Sequence, residues 1–163
     1  MRIFLDTNVI ASALSTRGLC ADLFRETGKF HELLVSGQVL DELQRVLTGK
    51  FSLPADAARA AVDEIARDAI VVEPGDQLEL DISDKADLPI LSAAAGAKAD
   101  AFVTGDKEVL SLGQIASMPI LSPREFWMML QSPEAFVAQR KLARLGGTEK
   151  GLRPIRRRRP PRR

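Results

Sequence analysis

The chain has 163 residues, 45% of them hydrophobic, which is enough for one domain with an ordinary core and a short appendage. A single cysteine, Cys20, excludes a disulfide framework or a cysteine-based zinc site and suits a reducing compartment. No apolar run approaches the roughly 20 residues that span a bilayer, and an acid at position 6 argues against a signal peptide, so we expect a cytoplasmic protein without a membrane segment.

The predicted secondary structure alternates between short apolar strands and helices. In chain order, the predicted elements are a strand over 2–5, helices over 9–14 and 19–27, a strand over 30–35, helices over 37–47 and 54–69, a strand over 70–73, a helix over 88–97, a strand over 101–103, a helix over 107–112, a strand over 119–121 and a helix over 124–130. Gly28 is the expected C-cap of the second helix, and Ser36 is the expected N-cap of the third. The alternation predicts an α/β fold with a mainly parallel sheet and helices on both faces.

The folded domain is expected to cover residues 1–131. Residues 132–145 can form one further helix, and residues 146–163 combine proline, repelling arginines and few apolar groups, which predicts disorder. The net charge of +1 is strongly segregated along the chain. Residues 140–163 hold 11 basic side chains and one acid, so they carry about +10 and the rest carries about −9.

Two predicted strands end in an aspartate, Asp6 after the first strand and Asp106 after the strand over 101–103. Ligands of parallel α/β sheets bind beyond the carboxyl ends of the strands, so distant acids at this edge can converge. Each Asp is equally well explained as the N-cap of the helix that follows it.

Two other acids have a suitable placement. Asp87 lies at the start of the predicted helix over 88–97, where an N-cap is again the alternative, and Glu42 lies one turn into a helix, where a solvated surface acid is the simpler explanation. Asp84 is a further candidate, while Asp41 is expected to point roughly 100° away from Glu42. His31 falls within a predicted strand and is expected to be a packed or surface histidine rather than a ligand.

Carboxylates that lie close together repel one another unless a cation balances them. Mg²⁺ or Mn²⁺ binds through a few carboxylates and keeps waters for a substrate, and such an ion activates water against a phosphodiester. The acid pattern therefore indicates a metal-dependent nuclease. A response regulator would need an acidic pair near the first strand, and a haloacid-type phosphatase would need an Asp where Asn8 stands, so both alternatives fit less well.

Four short motifs resemble those of PIN-domain proteins, in the same order and at similar spacing. They are Leu5-Asp6-Thr7-Asn8-Val9, Asp41-Glu42-Leu43, the stretch from Asp84 to Leu91, and Val103-Thr104-Gly105-Asp106. The resemblance covers about residues 1–131 and is closest to the VapC-like ribonucleases, the toxin components of bacterial toxin–antitoxin systems.

The resemblance implies an α/β/α sandwich and an Mg²⁺- or Mn²⁺-dependent endoribonuclease whose cut leaves a 5′-phosphate and a 3′-hydroxyl. Matched residue by residue, the metal-binding and catalytic quartet would be Asp6, Glu42, Asp87 and Asp106. The supporting polar residues would be Thr7, Asn8, Asp84 and Thr104. The chain departs from many relatives in that Ala86 and Leu88, rather than acids, flank Asp87. The implied partners are an RNA substrate, a cognate antitoxin and a second copy in a homodimer.

The basic C-terminal segment lies outside the resemblance, and we expect it to hold RNA phosphates without reading sequence, with a solubilising role as the alternative. The arginines assigned to this contact are Arg153, Arg156, Arg157, Arg158, Arg159, Arg162 and Arg163. A catalytically weak PIN-type module that binds RNA during RNA processing is the alternative to the ribonuclease.

Overall fold

The computed structural model describes residues 1–134. Its strands are β1 (Arg2–Leu5), β2 (Glu32–Ser36), β3 (Ile70–Val72), β4 (Ala101–Val103), β5 (Gln114–Ile115) and β6 (Met118–Leu121). Its helices are α1 (Thr7–Ser15), α2 (Leu19–Phe30), α3 (Gly37–Gly49), α4 (Ala55–Asp68), α5 (Asp87–Gly96), α6 (Lys107–Ser111) and α7 (Pro123–Gln131). The predicted mainly parallel α/β fold is confirmed.

The six strands form one sheet in the order β3-β2-β1-β4-β6-β5. The pairs β1–β2, β2–β3, β1–β4 and β4–β6 are parallel, and only β5 pairs antiparallel with its neighbour β6. The chain builds outward from β1 to β3 and then returns to place β4 on the other side of β1. Because parallel crossovers are right-handed, this reversal puts α5 on the face opposite α1–α4 and makes the gap between β1 and β4 the topological switch point.

The centre of the sheet is the centre of the core. Phe4 of β1 and Phe102 of β4 stack with ring centroids 5.3 Å apart, and both side chains are buried. The strands read as continuous apolar runs because helices cover both faces of a parallel sheet. The carboxyl ends of β1 and β4 are thereby held side by side on a rigid support.

The end of α2 differs from the prediction. Gly28 lies inside the helix, which continues to Phe30 and closes with the His31 amide donating to the Thr27 carbonyl. The predicted strand over 30–35 therefore begins at Glu32 instead. A glycine inside a helix costs about 1 kcal/mol relative to alanine. The added residues 28–30 are exposed, so the extension is held by the backbone hydrogen bond that closes the helix and not by packing.

The edge strand β5 was not predicted. It is two residues long and pairs with β6 through the register Ile115 to Met118. The tight connection places Ala116 at a φ of 51°. A two-residue strand carries no periodicity of its own, so only its pairing with β6 reveals it.

The segment that leads into α5 is held by a close contact between two backbones. A Cβ added to Gly75 would lie 3.0 Å from the Gly96 Cα and 3.1 Å from the Ser92 carbonyl oxygen. The Ser92 hydroxyl donates to the Asp76 carbonyl at 2.8 Å. Glycine at 75 and 96 thus lets the connection between β3 and α5 pack directly on α5.

The predicted extension and tail fall almost wholly outside the described residues. Of the helix predicted over 132–145 the structure describes only the first three residues, and the segment over 146–163 is outside it. Within residues 1–134, no helix has both the length and the apolar character needed to cross a membrane.

Candidate active site

The candidate site lies at the carboxyl edge of the sheet, where β1 and β4 end together. Leu5 is in register with Val103, and the Asp6 amide donates to the Val103 carbonyl at 3.0 Å. Asp6 and Asp106, separated by 100 residues of sequence, therefore follow two paired strands at the topological switch point.

Asp6 is both a helix cap and the best-anchored acid of the site. Its Oδ1 accepts from the Thr7 amide at 2.8 Å, which caps α1. Its Oδ2 accepts from Asn8 Nδ2 at 2.7 Å and from Thr104 Oγ1 at 2.6 Å. Capping uses one oxygen while side chains fix the other, so the cap and the convergent site are compatible rather than alternatives.

Thr104 connects the two strand ends. Its hydroxyl is fully buried, donates to Asp6, and accepts from Asn8 Nδ2 at 3.2 Å and from the Asp106 amide at 3.0 Å. The Gly105 amide donates to Asn8 Oδ1 at 2.9 Å, and a Cβ on Gly105 would lie 3.3 Å from that oxygen. The backbone after β4 is thus held against the first turn of α1.

Glu42 reaches the same cluster from α3. Thr7 Oγ1 donates to Glu42 Oε2 at 2.9 Å, and the Thr7 side chain is buried. Glu42 is half-buried, whereas its neighbour Asp41 is exposed, as their separation around the helix predicts. The glutamate therefore lies at the centre rather than on the solvated helix surface.

Asp106 caps α6 with one carboxylate oxygen. Its Oδ1 accepts from the amides of Glu108 at 2.8 Å and Val109 at 3.0 Å. No hydrogen bond to its Oδ2 is made within residues 1–134. As with Asp6, capping leaves part of the carboxylate available for other contacts.

Asp87 is not a helix cap. It is the first residue of α5, the cap position belongs to Ala86, and no side chain caps this helix. The prediction that Asp87 precedes the helix was therefore off by one residue, and capping does not explain its presence. Asp84 is exposed and folds onto its own loop, because its Oδ1 accepts from the Ala86 amide at 2.8 Å.

Two residues not singled out from the sequence brace the loop before Asp87. Gln38 Nε2 donates to the Ala86 carbonyl at 2.9 Å, and Glu108 Oε1 accepts from the Ser83 amide at 2.6 Å. These contacts join α3 and α6 to the same loop. Spacing along the chain contains no signal for either, since both depend on which elements meet in three dimensions.

The acids act on one another electrostatically. Burial raises the pKa of Asp6 above its usual value of 3.8, and the charges of Glu42 and Asp106 raise it further against the hydrogen bonds from Thr104 and Thr7. Burial raises the pKa of Asp87 to about 6, with the charges of Asp6, Asp84, Asp106 and Glu42 adding to it. Four elements therefore bring their carboxylates within mutual electrostatic range.

No cation of the described chain balances this charge. The two ion pairs within residues 1–134 are Arg2 with Glu32 and Arg25 with Asp22, and neither includes an acid of the site. An all-oxygen, unbalanced carboxylate set suits a hard divalent ion. Within the same residues no group of three or more His, Cys, Asp or Glu side chains could hold a metal ion as the side chains are placed. Mg²⁺ typically needs only one or two carboxylates and retains waters, so the donor set fits that ion.

His31 lies away from this edge, at the C-terminal end of α2 and before β2. Its Nδ1 is buried without a hydrogen-bond partner in the described part of the chain, and burial lowers its pKa. It is a packed histidine at the opposite edge of the sheet.

The parallel α/β fold and the carboxylates that converge at its topological switch point place this chain among the α/β proteins with an acidic centre. A comparison with family models identifies the family within that class. The model of the PIN domain matches residues 2–108, so the chain belongs to the PIN domain family. No curated protein matches the chain.

Chains of two VapBC structures are among the solved structures that share the fold. One is a chain from the structure of VapBC2 from Rickettsia felis, which is bound to a DNA fragment from the VapBC2 promoter. It is 17% identical with a TM-score of 0.56, over 75% of this chain and 98% of that one. A chain of VapBC-1 from nontypeable Haemophilus influenzae is 18% identical with a TM-score of 0.55, over 76% of this chain and 99% of that one. At these identities the likeness establishes the fold.

Proposed function

We propose that this protein is a metal-dependent endoribonuclease whose active site consists of Asp6, Glu42, Asp87 and Asp106. The observation that carries the proposal is the convergence of these four carboxylates at one sheet edge without a balancing cation from the described chain. The membership of the PIN domain family supports it, since nuclease chemistry is what the family resemblance implies.

The quartet would hold Mg²⁺ or Mn²⁺, and such an ion, when bound, activates a water and stabilises the leaving oxygen of a phosphodiester. Thr104 and Asn8 keep the Asp6 carboxylate in one orientation through two short hydrogen bonds. Thr7 orients Glu42 in the same way. The polar residues therefore hold the acids at fixed positions, which the binding of an ion and a substrate requires.

The test is cleavage of mixed single-stranded RNAs by the purified full chain with Mg²⁺, Mn²⁺ or EDTA. Asp6→Asn is compared with Asp41→Asn, a matched control because Asp41 is an exposed acid adjacent to Glu42 on α3. We expect metal-dependent cleavage that Asp6→Asn abolishes and Asp41→Asn retains, with 5′-phosphate and 3′-hydroxyl products. Equal cleavage by all three proteins would contradict the proposal, and RNA binding without cleavage would favour a non-catalytic RNA-binding module.

We propose further that the chain is the toxin of a toxin–antitoxin pair and acts in the cytoplasm as a homodimer. The fold shared with chains of two VapBC structures supports this role. Co-expression of the protein encoded beside it should restore the growth that this chain alone arrests, and the two proteins should co-purify. Growth arrest that no neighbouring protein relieves would contradict the paired role.

The basic segment over residues 150–163 is proposed to hold RNA phosphates, because residues 1–139, which contain the acidic centre, carry about −9. Deleting it should weaken RNA binding and flatten the dependence of log Kd on log salt concentration. The arginine-rich segment spans Arg153 to Arg163, so the effect should be several times that of any single arginine substitution. An unchanged salt slope would contradict this role.

A further inference from the structure

Two exposed cations lie beside the acidic centre on the side of β4 and β6. Lys107 is the first residue of α6 and directly follows Asp106. Arg124 is the second residue of α7, which begins after β6. Helices that follow neighbouring parallel strands begin at the same sheet edge, so both cations start at the edge that holds the quartet.

The hydrogen bonds between strand ends limit how far the backbone of Arg124 can lie from the centre. The Thr104 amide donates to the Leu121 carbonyl at 3.0 Å, and the Thr104 hydroxyl donates to Asp6 at 2.6 Å. Arg124 is three residues after Leu121, so its Cα lies within about 11 Å of the Leu121 Cα. Its flexible side chain therefore starts near the centre without contacting it.

The acids next to these cations are engaged elsewhere. Glu108 accepts from the Ser83 amide, and Glu125 Oε2 accepts from the Ser122 amide at 2.8 Å and the Ser122 hydroxyl at 2.7 Å. Neither of the two ion pairs within residues 1–134 includes Lys107 or Arg124. The two cations are thus left available to an outside anion, although acids adjoin them in sequence.

The side of the centre formed by α3 and α5 is different. It carries the acids Asp41, Glu42, Asp84 and Asp87. Its two cations are held by backbone carbonyls, since Lys85 Nζ donates to the Leu80 carbonyl at 3.3 Å and Arg45 Nε donates to the Asp41 carbonyl at 3.3 Å. Within residues 1–134, the side chains of Lys107 and Arg124 make no hydrogen bond or ion pair, whereas those of Lys85 and Arg45 are bound to backbone carbonyls. The two approaches to the site therefore differ in the cationic donors that they leave free for a phosphate.

We propose that Lys107 and Arg124 form a phosphate rim, which binds the backbone of the single-stranded RNA substrate on the β4 and β6 side of the active site. The proposal rests on the proposed ribonuclease function and adds the direction in which the RNA strand leaves the active site. The rim residues are positioning residues, since they contact phosphates beside the scissile one rather than the reacting atoms. They carry no sequence preference, because contacts to phosphates do not read bases.

The test measures binding of a short single-stranded RNA by fluorescence anisotropy, using the full chain with Asp6→Asn to prevent cleavage, over a range of salt concentrations. Lys107→Gln and Arg124→Gln are compared with Lys29→Gln and Arg59→Gln, which remove exposed cations from α2 and α4. Each rim variant should weaken binding about threefold, as expected for a solvent-exposed charge pair. It should also reduce the slope of log Kd against log salt by about 0.7, the loss of one phosphate contact on a single strand.

Lys107→Arg and Arg124→Lys keep the charge and should restore both the affinity and the slope, which a merely structural role would not predict. Slopes that are equal in the rim and control variants would overturn the proposal. Absence of metal-dependent cleavage by the wild type would instead overturn the ribonuclease function, and the binding slopes would still decide whether the rim contacts RNA.

Discussion

Acidic residues at the amino and carboxyl edges of the sheet have different surroundings. At the amino edge, Asp100 precedes β4 and its Oδ2 accepts from the Arg2 amide at 2.7 Å, while the Arg2 guanidinium lies 3.3 Å from Glu32. At the carboxyl edge, Asp106 follows the same strand and joins three other acids that have no cationic partner within residues 1–134. An acid at a strand end is structural where it only joins neighbouring segments, as Asp100 does, and a functional candidate where other acids surround it, as at Asp106.

The test with the largest expected effect replaces one acid at each end of β4 with asparagine, in two separate variants. Under the proposed function, Asp106→Asn should lower cleavage about 1,000-fold, since loss of several kcal/mol of transition-state stabilisation is expected when a carboxylate that holds the catalytic metal is removed. Asp100→Asn should leave cleavage nearly unchanged and lower the free energy of unfolding by about 1 kcal/mol, because one charge-assisted hydrogen bond at an exposed site is weakened. Steady-state cleavage and urea unfolding of both variants measure the difference, and similar losses of activity would remove the distinction between the edges.

A second test compares two fully buried threonines. Thr104 makes three hydrogen bonds at the carboxyl edge, whereas Thr27 Oγ1, on α2, has no partner within residues 1–134. Thr104→Val should lower activity about 10- to 100-fold, as for other residues that orient metal-binding groups, and Thr104→Ser should restore most of it.

Thr27→Val should instead raise the free energy of unfolding by about 1 kcal/mol, because it removes an unsatisfied buried hydroxyl. Its activity should match that of the wild type. Destabilisation by Thr27→Val would indicate that the hydroxyl has a partner, and full activity of Thr104→Val would show that Asp6 needs no support from this residue.

The smallest expected effect is on the pH dependence of stability without metal. The pKa of Asp87 is about 6 in the folded chain, above the usual 3.8, so the folded state binds this proton more tightly than the unfolded state. The resulting stabilisation is complete below about pH 4 and is lost as the pH rises through about 6. At pH 8, Asp87→Asn should therefore be more stable than the wild type by about 1 kcal/mol, after allowance for solvent screening.

Thermal unfolding in EDTA at pH 4 and pH 8 measures this difference. Asp84→Asn is the matched control because it removes a neighbouring, exposed acid of the same loop. Mg²⁺ should raise the stability of the wild type at pH 8 more than that of Asp87→Asn, since binding of the ion relieves the same repulsion. Stability of the wild type that does not fall between pH 4 and pH 8 would contradict the electrostatic coupling of the acids.

Most of the fold could be predicted from the sequence because its signals are local. The apolar runs of β1, β2 and β4 mark buried strands, and Ser36 and Ser122 start helices by side-chain caps that need only their own segment. Elements that depend on a partner were missed or misplaced. The strand β5 exists only through its pairing with β6. The end of α2 was misplaced for a different reason, since the helix continues through Gly28 over exposed residues and a glycine is a tolerated helical residue as well as a stop signal.

The candidate site is divided in the same way. The motifs around Asp6 and Asp106 could be placed at strand ends from the sequence, since each follows an apolar run directly. Which strands are neighbours is a long-range property, and only the pairing of β1 with β4 brings these two acids together. The braces from Gln38 and Glu108 to the loop before Asp87 are likewise contacts between distant segments.

The sequence by itself determined the buried strands, the side-chain cap at Ser36, the order of the acidic motifs and the segregation of charge, because each depends on neighbouring residues or on composition. Only the tertiary structure decided that Asp6 can cap α1 and still belong to the centre, since its two oxygens have separate partners. It also decided that Asp87 is no cap and that Lys107 and Arg124 are left unpaired by the described chain. Each of these findings depends on which groups from distant segments meet in space, and the local sequence does not contain that information.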